Sequence, residues 1–167
     1  RMDEVFERAA ERDVAPIYEL IRARIAWQEE NGIDGWNRTS YLERFPMTYF
    51  LEQCYAGTLY VLRGAEQRLC GAVVLLEEDV RWEGHPALPA YYVHNLVSAP
   101  EARGAGREIL RRTEQLARAR GKACVRLDCK RGNEAINRFY ERAGYLACGE
   151  CTDGPYHGLL RVNSLGE

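Results

Sequence analysis

The chain has 167 residues, of which 46% are hydrophobic and 29% are charged, and its formal net charge is −2. This composition predicts one domain, residues 2–167, that is large enough to bury a complete core. The slightly acidic balance, without a polybasic run, gives no electrostatic reason to expect nucleic acid as a partner. Nothing approaches the ~18 consecutive apolar residues of a membrane span, and no apolar signal-peptide core is visible at the start, so we expect a cytoplasmic protein without membrane contact.

The first third of the chain predicts a short strand and then helices. The strand includes Val5 and Phe6, and a helix that begins at Glu11 carries on its apolar face Ile17, Leu20, Ile21, Ile25 and Trp27. Gly32 and Gly35 interrupt the helical pattern. The polar segment that follows, residues 31–39, is predicted to be a loop or a broken helix around Trp36.

Two shorter helices and a hairpin come next. Thr39-Ser40 is predicted to cap the second helix, and Pro46 to open the third. Residues 58–62 and 69–76 are mostly apolar and lie on either side of a turn-like segment, which predicts a β-hairpin. The acidic run 77–79 ends the second strand of this hairpin. An irregular connection then leads into a strand over residues 91–97, so the middle of the chain is predicted to be an antiparallel meander.

A glycine-bearing turn joins that central strand to an amphipathic helix. Arg103-Gly104-Ala105-Gly106 occupies the turn, and apolar residues then recur at helical spacing from Ile109. The first N–H groups of a helix lack internal partners and carry the positive end of its dipole, so an anion is the expected ligand. The alternative is an ordinary turn whose glycines only supply unusual dihedral angles.

The last third predicts a strand, a helix and two further strands. Residues 123–129 form the strand, which we expect to lie parallel to the central one because a helical crossover joins them. A helix over residues 133–143 ends at Gly144, and strands over 145–148 and 157–162 complete the sheet. The pattern indicates a mixed α/β (α+β) domain.

Two motifs resemble the signatures of the GNAT N-acetyltransferase superfamily. The loop from Arg103 to Glu108 is similar to the Arg/Gln-x-x-Gly-x-Gly/Ala coenzyme A loop, although Glu108 stands where the family prefers glycine or alanine. The segment from Asn133 to Tyr145 resembles Asn-x-x-Ala-x-x-Phe/Tyr-Tyr-x-x-x-Gly-Phe/Tyr, with the alanine shifted by one place to Ala135. Because a carboxylate facing inward would repel a pyrophosphate, the resemblance implies that Glu108 points outward.

The resemblance implies a single-domain fold with a mostly antiparallel sheet, splayed central strands and flanking helices. It also implies acetyl-CoA as co-substrate. The backbone of Leu96 and Val97 would bind the pantetheine arm, and Asn133 would contact that arm or its loop unless it is only a helix cap. The pyrophosphate would be held by Arg103, Gly104, Ala105, Gly106, Arg107 and Glu108.

For the chemistry, the resemblance places Tyr140 where the family has a tyrosine that protonates the departing thiolate, although it could be a core aromatic. The general base stays open among Glu77, Glu78, Tyr92, His94 and Asp128. His94 could equally be a bonded core histidine, and the acidic run a solvated turn. Near the acceptor we expect Trp36, Glu78 and Tyr92, with Trp36 as a packing residue in the alternative interpretation.

The predicted function is direct transfer of an acetyl group to a primary amine, in a protein that could form a homodimer. The amine is expected to belong to a small molecule, and the alternatives are a protein N-terminus or lysine as acceptor, or a non-catalytic acyl-CoA-binding module. A further alternative is a zinc or thiol site at Cys148 and Cys151, but no second pair of ligands follows, so no metal is expected. The six cysteines are expected to be reduced thiols.

Overall fold

The computed structural model describes residues 4–166, so the ends of the predicted domain, residues 1–3 and 167, lie outside the described part. It has a mixed α/β fold with a mostly antiparallel seven-stranded sheet in the order β1-β2-β3-β4-β5-β7-β6. The strands are β1 (Val5–Arg8), β2 (Leu59–Arg63), β3 (Leu69–Leu76), β4 (Ala90–Ser98), β5 (Cys124–Lys130), β6 (Leu146–Asp153) and β7 (Tyr156–Ser164). The helices are α1 (Val14–Glu30), α2 (Tyr41–Arg44), α3 (Met47–Ala56), α4 (Ala105–Ala119) and α5 (Glu134–Arg142).

The chain divides into two compact units, and β3, β4 and α4 each contribute residues to both. The first unit contains residues 4–74 and 95–109. Its strands β1 and β2 are antiparallel, as are β2 and β3. Its fully buried side chains come from α1, α3, β2 and the start of α4, and include Ile17, Ile21, Phe50, Leu59, Leu62 and Ile109. Burial of these apolar surfaces is the main driving force for packing the helices on the strands.

The second unit contains residues 75–94 and 110–166. Here β5 runs parallel to β4 through the first three residues of each strand, from Ala90–Cys124 to Tyr92–Arg126. Over its whole length β5 pairs with β7 in the antiparallel sense, and β7 pairs with β6. A core cluster of this unit contains Trp82, Ala90, Tyr92, Cys124 and Leu160. The parallel arrangement of β4 and β5 confirms the prediction from the helical crossover.

Helix ends follow the sequence signals in two places and depart from them in a third. Asn133 caps α5, because its Oδ1 accepts a hydrogen bond from the Ile136 N–H at 3.0 Å, and Gly144 beyond the same helix has a φ of 96°. The prediction that Ser40 caps α2 is wrong. Ser40 has a left-handed backbone, with φ 52° and ψ 41°, and its side chain makes no capping hydrogen bond.

One apolar residue was also misplaced by the helical pattern. Trp27 lies in α1, but 38% of it is exposed, so it is not part of the core face. The Arg24 guanidinium lies 4.9 Å from the Trp27 ring centroid instead, which gives the indole a cation–π contact at the surface. The core face of α1 consists of Val14, Ile17, Tyr18 and Ile21.

Candidate active site

The glycine-bearing loop lies entirely in the first unit, between the end of β4 and the start of α4. The Ala102 N–H donates to the Ala99 carbonyl at 2.9 Å, and the Ala105 N–H donates to the Ala102 carbonyl at 3.1 Å. Gly104 has a φ of 80°, in the left-handed region that glycine adopts without steric cost. These tight turns direct the chain from the strand into α4, whose first N–H groups point out of the helix N-terminus.

The end of β4 is held from two sides. Arg24 of α1 donates from Nη2 to the Ser98 carbonyl at 2.8 Å and to its hydroxyl at 3.1 Å. On β3, a Cβ added to Gly71 would lie 2.6 Å from the Val97 carbonyl oxygen and 2.7 Å from Ile109 Cδ1. Only glycine leaves room for this approach, so Gly71 fixes the distance between β3 and the residues that begin the loop.

The side chains of the loop divide between solvent and core. Arg103, Gly104 and Arg107 are exposed, whereas Ala105 is buried. Glu108 is also buried, at 9% exposure, so it does not point to solvent, and its orientation away from a pyrophosphate stays a prediction. It lies three residues after Ala105 in α4, and helical spacing puts both on the buried face. The loop therefore offers backbone N–H groups and two exposed guanidinium groups to an anion.

Asn95 lies within β4, directly before Leu96 and Val97. Its φ is 54°, a left-handed conformation that is rare within a strand. The Tyr49 hydroxyl donates to Asn95 Oδ1 at 2.7 Å, and Asn95 Nδ2 donates to the Tyr41 hydroxyl at 2.6 Å. Sequence analysis did not identify this cluster, although asparagine within an apolar strand pattern is a signal for a left-handed residue.

An aromatic row extends from this cluster in the first unit. Trp36 stacks on Tyr41 with 4.3 Å between ring centroids, and Tyr41, Phe45 and Tyr49 follow at 4.9 Å intervals. Trp36 and Phe45 are half-buried. The interpretation of Trp36 as a packing residue therefore has a structural basis, and its contact with an acceptor stays a prediction.

A histidine–carboxylate pair lies in the second unit. His94 Nε2 is 2.9 Å from Asp79 Oδ2, and the exposed fractions of the two side chains are 23% and 6%. Asp79 Oδ1 also accepts a hydrogen bond from the Arg81 N–H at 3.0 Å. Burial alone raises the pKa of Asp79, but the nearby His94 imidazole and the hydrogen bond from the Arg81 N–H outweigh it and hold the pKa below its ordinary value.

The two glutamates of the acidic run are at the surface. The Glu77 carboxylate contacts Lys122 Nζ, and its side chain is 68% exposed. The hydrogen bond from Lys122 lowers the pKa of Glu77, which makes its carboxylate a weaker base. Glu78 is exposed. The role of either residue in catalysis or acceptor binding stays a prediction.

Tyr92 belongs to the core of the second unit. It is 6% exposed, and its hydroxyl accepts a hydrogen bond from Arg126 Nη1 at 2.9 Å. The same guanidinium donates to the Pro86 carbonyl and lies 4.6 Å from the Trp82 ring centroid. This burial argues against the predicted contact of Tyr92 with an acceptor.

Asp128 is part of a separate polar network in the second unit. Its Oδ2 accepts hydrogen bonds from Arg81 Nη1 at 3.1 Å and from the Tyr156 hydroxyl at 2.6 Å. Arg81 reaches Asp153 through its other terminal nitrogen at 3.0 Å. Because Oδ2 already has two donors, Asp128 is better suited to hold Arg81 than to accept a proton from a substrate.

Tyr140 is a buried residue of α5. It is 7% exposed, and its ring lies edge-on to Phe139 and Tyr145, with centroid distances of 5.2 and 6.2 Å. Asn133 lies at the start of the same helix, where its side chain forms the cap described above. The roles of both residues toward acetyl-CoA stay predictions.

The cysteines form no disulfide within the described chain, and Cys148 is exposed whereas Cys151 is half-buried. Burial raises the pKa of both thiols, which lowers their reactivity. Within residues 4–166, no group of three or more His, Cys, Asp and Glu side chains is placed to hold a metal ion. None of the helices in that range is long and apolar enough to cross a membrane.

The sequence profile of the acetyltransferase (GNAT) family matches residues 21–145. The chain belongs to the GNAT acetyltransferase family. Acetyl-CoA is the co-substrate of this family, and the exposed arginines, left-handed Gly104 and helix N-terminus of the loop suit its anionic phosphates. No curated protein sequence matches this GNAT chain significantly.

Solved structures share the fold of this GNAT protein at low sequence identity. A GNAT-family acetyltransferase of Listeria monocytogenes is 22% identical, with a TM-score of 0.81 and coverage of 97% of this chain and 95% of that one. PaiA N-acetyltransferase of Thermoplasma acidophilum, in complex with coenzyme A, is 17% identical, with a TM-score of 0.72 and coverage of 96% and 98%. Spermidine N-acetyltransferase of Vibrio cholerae is 14% identical, with a TM-score of 0.66 and coverage of 99% and 95%.

Proposed function

We propose that this acetyltransferase transfers the acetyl group of acetyl-CoA directly to the primary amine of a small molecule. The observation that carries the proposal is the loop of the first unit, where left-handed Gly104 leads into α4 and exposed Arg103 and Arg107 flank the helix N-terminus. This arrangement suits the pyrophosphate of coenzyme A. In the proposal the backbone of Leu96 and Val97 binds the pantetheine arm.

Acetyl transfer requires removal of a proton from the amine and delivery of one to the thiolate. We assign the second role to Tyr140, because a phenol with a reference pKa near 10 can protonate a thiolate. For the first role we prefer His94 to Glu77. His94 is partly shielded and next to a carboxylate, whereas Glu77 is exposed and bound to Lys122.

The small-molecule acceptor is supported by analogy and by charge. One solved structure of the same fold is a spermidine N-acetyltransferase, and this substrate is known for that protein only. In this chain the exposed carboxylates of Glu77 and Glu78 would attract a cationic amine more than an acidic one. We therefore expect diamines to be better acceptors than glutamate or aspartate. A cytoplasmic location and a homodimer also stay predictions.

A screen of amine acceptors that monitors release of free CoA tests the proposal. The panel contains diamines, amino acids, aminoglycosides, and peptides with a free N-terminus or lysine. We expect at least one small amine to raise CoA release above the amine-free rate. If only peptides do so, the acceptor is a protein. If no amine does so while calorimetry shows acetyl-CoA binding, the chain is a binding module and the proposed transfer is wrong.

A further inference from the structure

We propose that Asp79 is a positioning residue for His94: its carboxylate holds the imidazole in the tautomer protonated on Nε2, so that the Nδ1 lone pair can accept a proton from the acceptor. The inference rests on the proposed function and deepens it by assigning the basic atom. Sequence analysis offered His94 and the acidic run 77–79 as separate candidates for the base and did not pair Asp79 with His94, because the two residues are fifteen positions apart in different elements.

The His94 and Asp79 side chains lie close together. His94 Nε2 lies 2.9 Å from Asp79 Oδ2. Nε2 has no contact with solvent, and its N–H is not aligned closely enough with any acceptor in residues 4–166 to form a well-directed hydrogen bond. The attraction to the carboxylate is therefore largely electrostatic. A proton on Nε2 is attracted by the negative charge of Asp79, whereas a lone pair on Nε2 would be repelled by it. The carboxylate therefore favours the tautomer that is protonated on Nε2.

The Asp79 carboxylate has a fixed position. Asp79 precedes a short 3-10 helix, Val80–Trp82, and its Oδ1 accepts the hydrogen bond of the Arg81 N–H at the start of that helix. Its side chain is 6% exposed. One oxygen is thus bound to the backbone, and the other is directed at His94.

The other charged groups near Asp79 are paired with one another. The Arg81 guanidinium is bound to Asp128 and Asp153 rather than to Asp79. Tyr156 donates its hydroxyl to Asp128 as well. Among the described residues, Asp79 is the acidic residue whose side chain lies within salt-bridge distance of His94. Burial, and after it the charges of Asp128 and Asp79, raise the pKa of the Cys151 thiol, so this thiol adds no negative charge.

Acetyl transfer in this site moves protons at His94 and Tyr140. One proton moves from the acceptor ammonium group to His94 Nδ1, and the resulting neutral amine can attack the thioester carbonyl carbon. The N–C bond forms, the C–S bond breaks, and the departing sulfur takes a proton from Tyr140. The proton that the new amide nitrogen loses restores Tyr140 through solvent, and His94 releases its proton to solvent. Asp79 stays ionised throughout and stabilises the imidazolium form of His94.

Nitrogen-15 NMR tests the tautomer without any acceptor. The chain has three histidines, so the signals of His94 can be assigned by their loss in His94→Gln. In the parent protein at a pH where the ring is neutral, we expect the Nε2-protonated pattern. Asp79→Asn should convert it to a mixture of both tautomers. A parent spectrum with the proton on Nδ1, or an unchanged pattern in Asp79→Asn, would overturn the inference.

Kinetics then test the consequence, with the best amine from the panel as probe. We expect Asp79→Asn to lower kcat about tenfold or more while the KM for acetyl-CoA changes less than about twofold. The matched control is Asp153→Asn, which removes an exposed carboxylate from the neighbouring Arg81 network and should leave kcat nearly unchanged. A kcat of Asp79→Asn within threefold of the parent would overturn the positioning role. Because the NMR result needs no acceptor, its failure is distinguishable from failure of the proposed transfer.

Discussion

Asn95 Nδ2 donates a hydrogen bond to the Tyr41 hydroxyl at 2.6 Å, although 54 positions separate the two residues in the chain. Tyr49 binds the other end of the same amide at 2.7 Å. Burial raises the pKa of Tyr49 to about 12, so its hydroxyl remains a donor through the working pH range. The two tyrosines thus hold Asn95 in its left-handed conformation, immediately before the strand residues proposed to bind pantetheine.

Substitutions at Asn95 should separate the backbone effect from the hydrogen bonds. Asn95→Ala loses both hydrogen bonds and places an unfavourable left-handed alanine, which costs roughly 1–2 kcal/mol for the backbone and about 1 kcal/mol for each bond. Asn95→Gly loses the bonds but accepts the conformation, so it should unfold at higher urea concentration than Asn95→Ala. Equal midpoints would mean that the left-handed backbone is not maintained in solution.

Replacing Gly106 with Val tests the coenzyme A loop. A β-branched side chain at this half-buried position should block the close approach of a phosphate, so acetyl-CoA binding should weaken far more than stability. Isothermal calorimetry gives the affinity, and thermal melting checks the fold. The control is Ala119→Val, an equally β-branched change at an exposed position in the last turn of α4. Unchanged affinity in a folded Gly106→Val protein would contradict the loop assignment.

Tyr140→Phe tests the proton donor. If the hydroxyl protonates the thiolate, kcat should fall by about 10²–10⁴-fold at saturating substrate, provided that chemistry limits the rate, while acetyl-CoA affinity hardly changes.

The control for Tyr140 is Tyr145→Phe, which removes a hydroxyl that is bound to Glu114 Oε2 at 2.6 Å. That variant should lose about 1 kcal/mol of stability and keep its rate. A kcat of Tyr140→Phe within about threefold of the parent, or about 0.65 kcal/mol in barrier, would remove Tyr140 from the mechanism.

Low pH should lower the free energy of unfolding of the first unit, because Asp13 becomes protonated and loses its ion pair with Arg63. Arg63 Nη2 donates to Asp13 Oδ2 at 2.6 Å, and both side chains are almost completely buried. Burial alone raises the pKa of Asp13, but hydrogen bonds from Arg63 and the Ala10 N–H outweigh it and lower the pKa below its ordinary value. A lowered folded-state pKa contributes stability above the unfolded-state pKa of about 3.9, and this contribution is lost as the pH falls through the folded value.

Asp13→Asn should therefore cost about 3 kcal/mol at pH 7, since it leaves Arg63 with one exposed partner, Glu7, and the loss should shrink toward pH 2. Denaturant unfolding of parent and variant at both pH values measures this difference. Asp34→Asn, which breaks the exposed pair with Arg38, serves as control and should change little at either pH. A pH-independent cost for Asp13→Asn would contradict the linkage.

The sequence alone determined the parts of this protein that depend on local pattern. Apolar periodicity defined the helices and strands, the cap at Asn133 and the stop at Gly144 followed from local backbone chemistry, and the two motifs identified the family over most of the chain. These signals are readable because each depends on residues within a few positions of one another.

Only the tertiary structure decided which side chains meet across long separations. It buried Glu108, assigned Tyr92 to the core beside Arg126, and paired His94 with Asp79 and Asn95 with two tyrosines. The physical reason is that burial and hydrogen bonding depend on packing between elements distant in the chain. A glutamate in the first turn of a helix suits the dipole whether it faces solvent or core, so local sequence cannot distinguish the two arrangements.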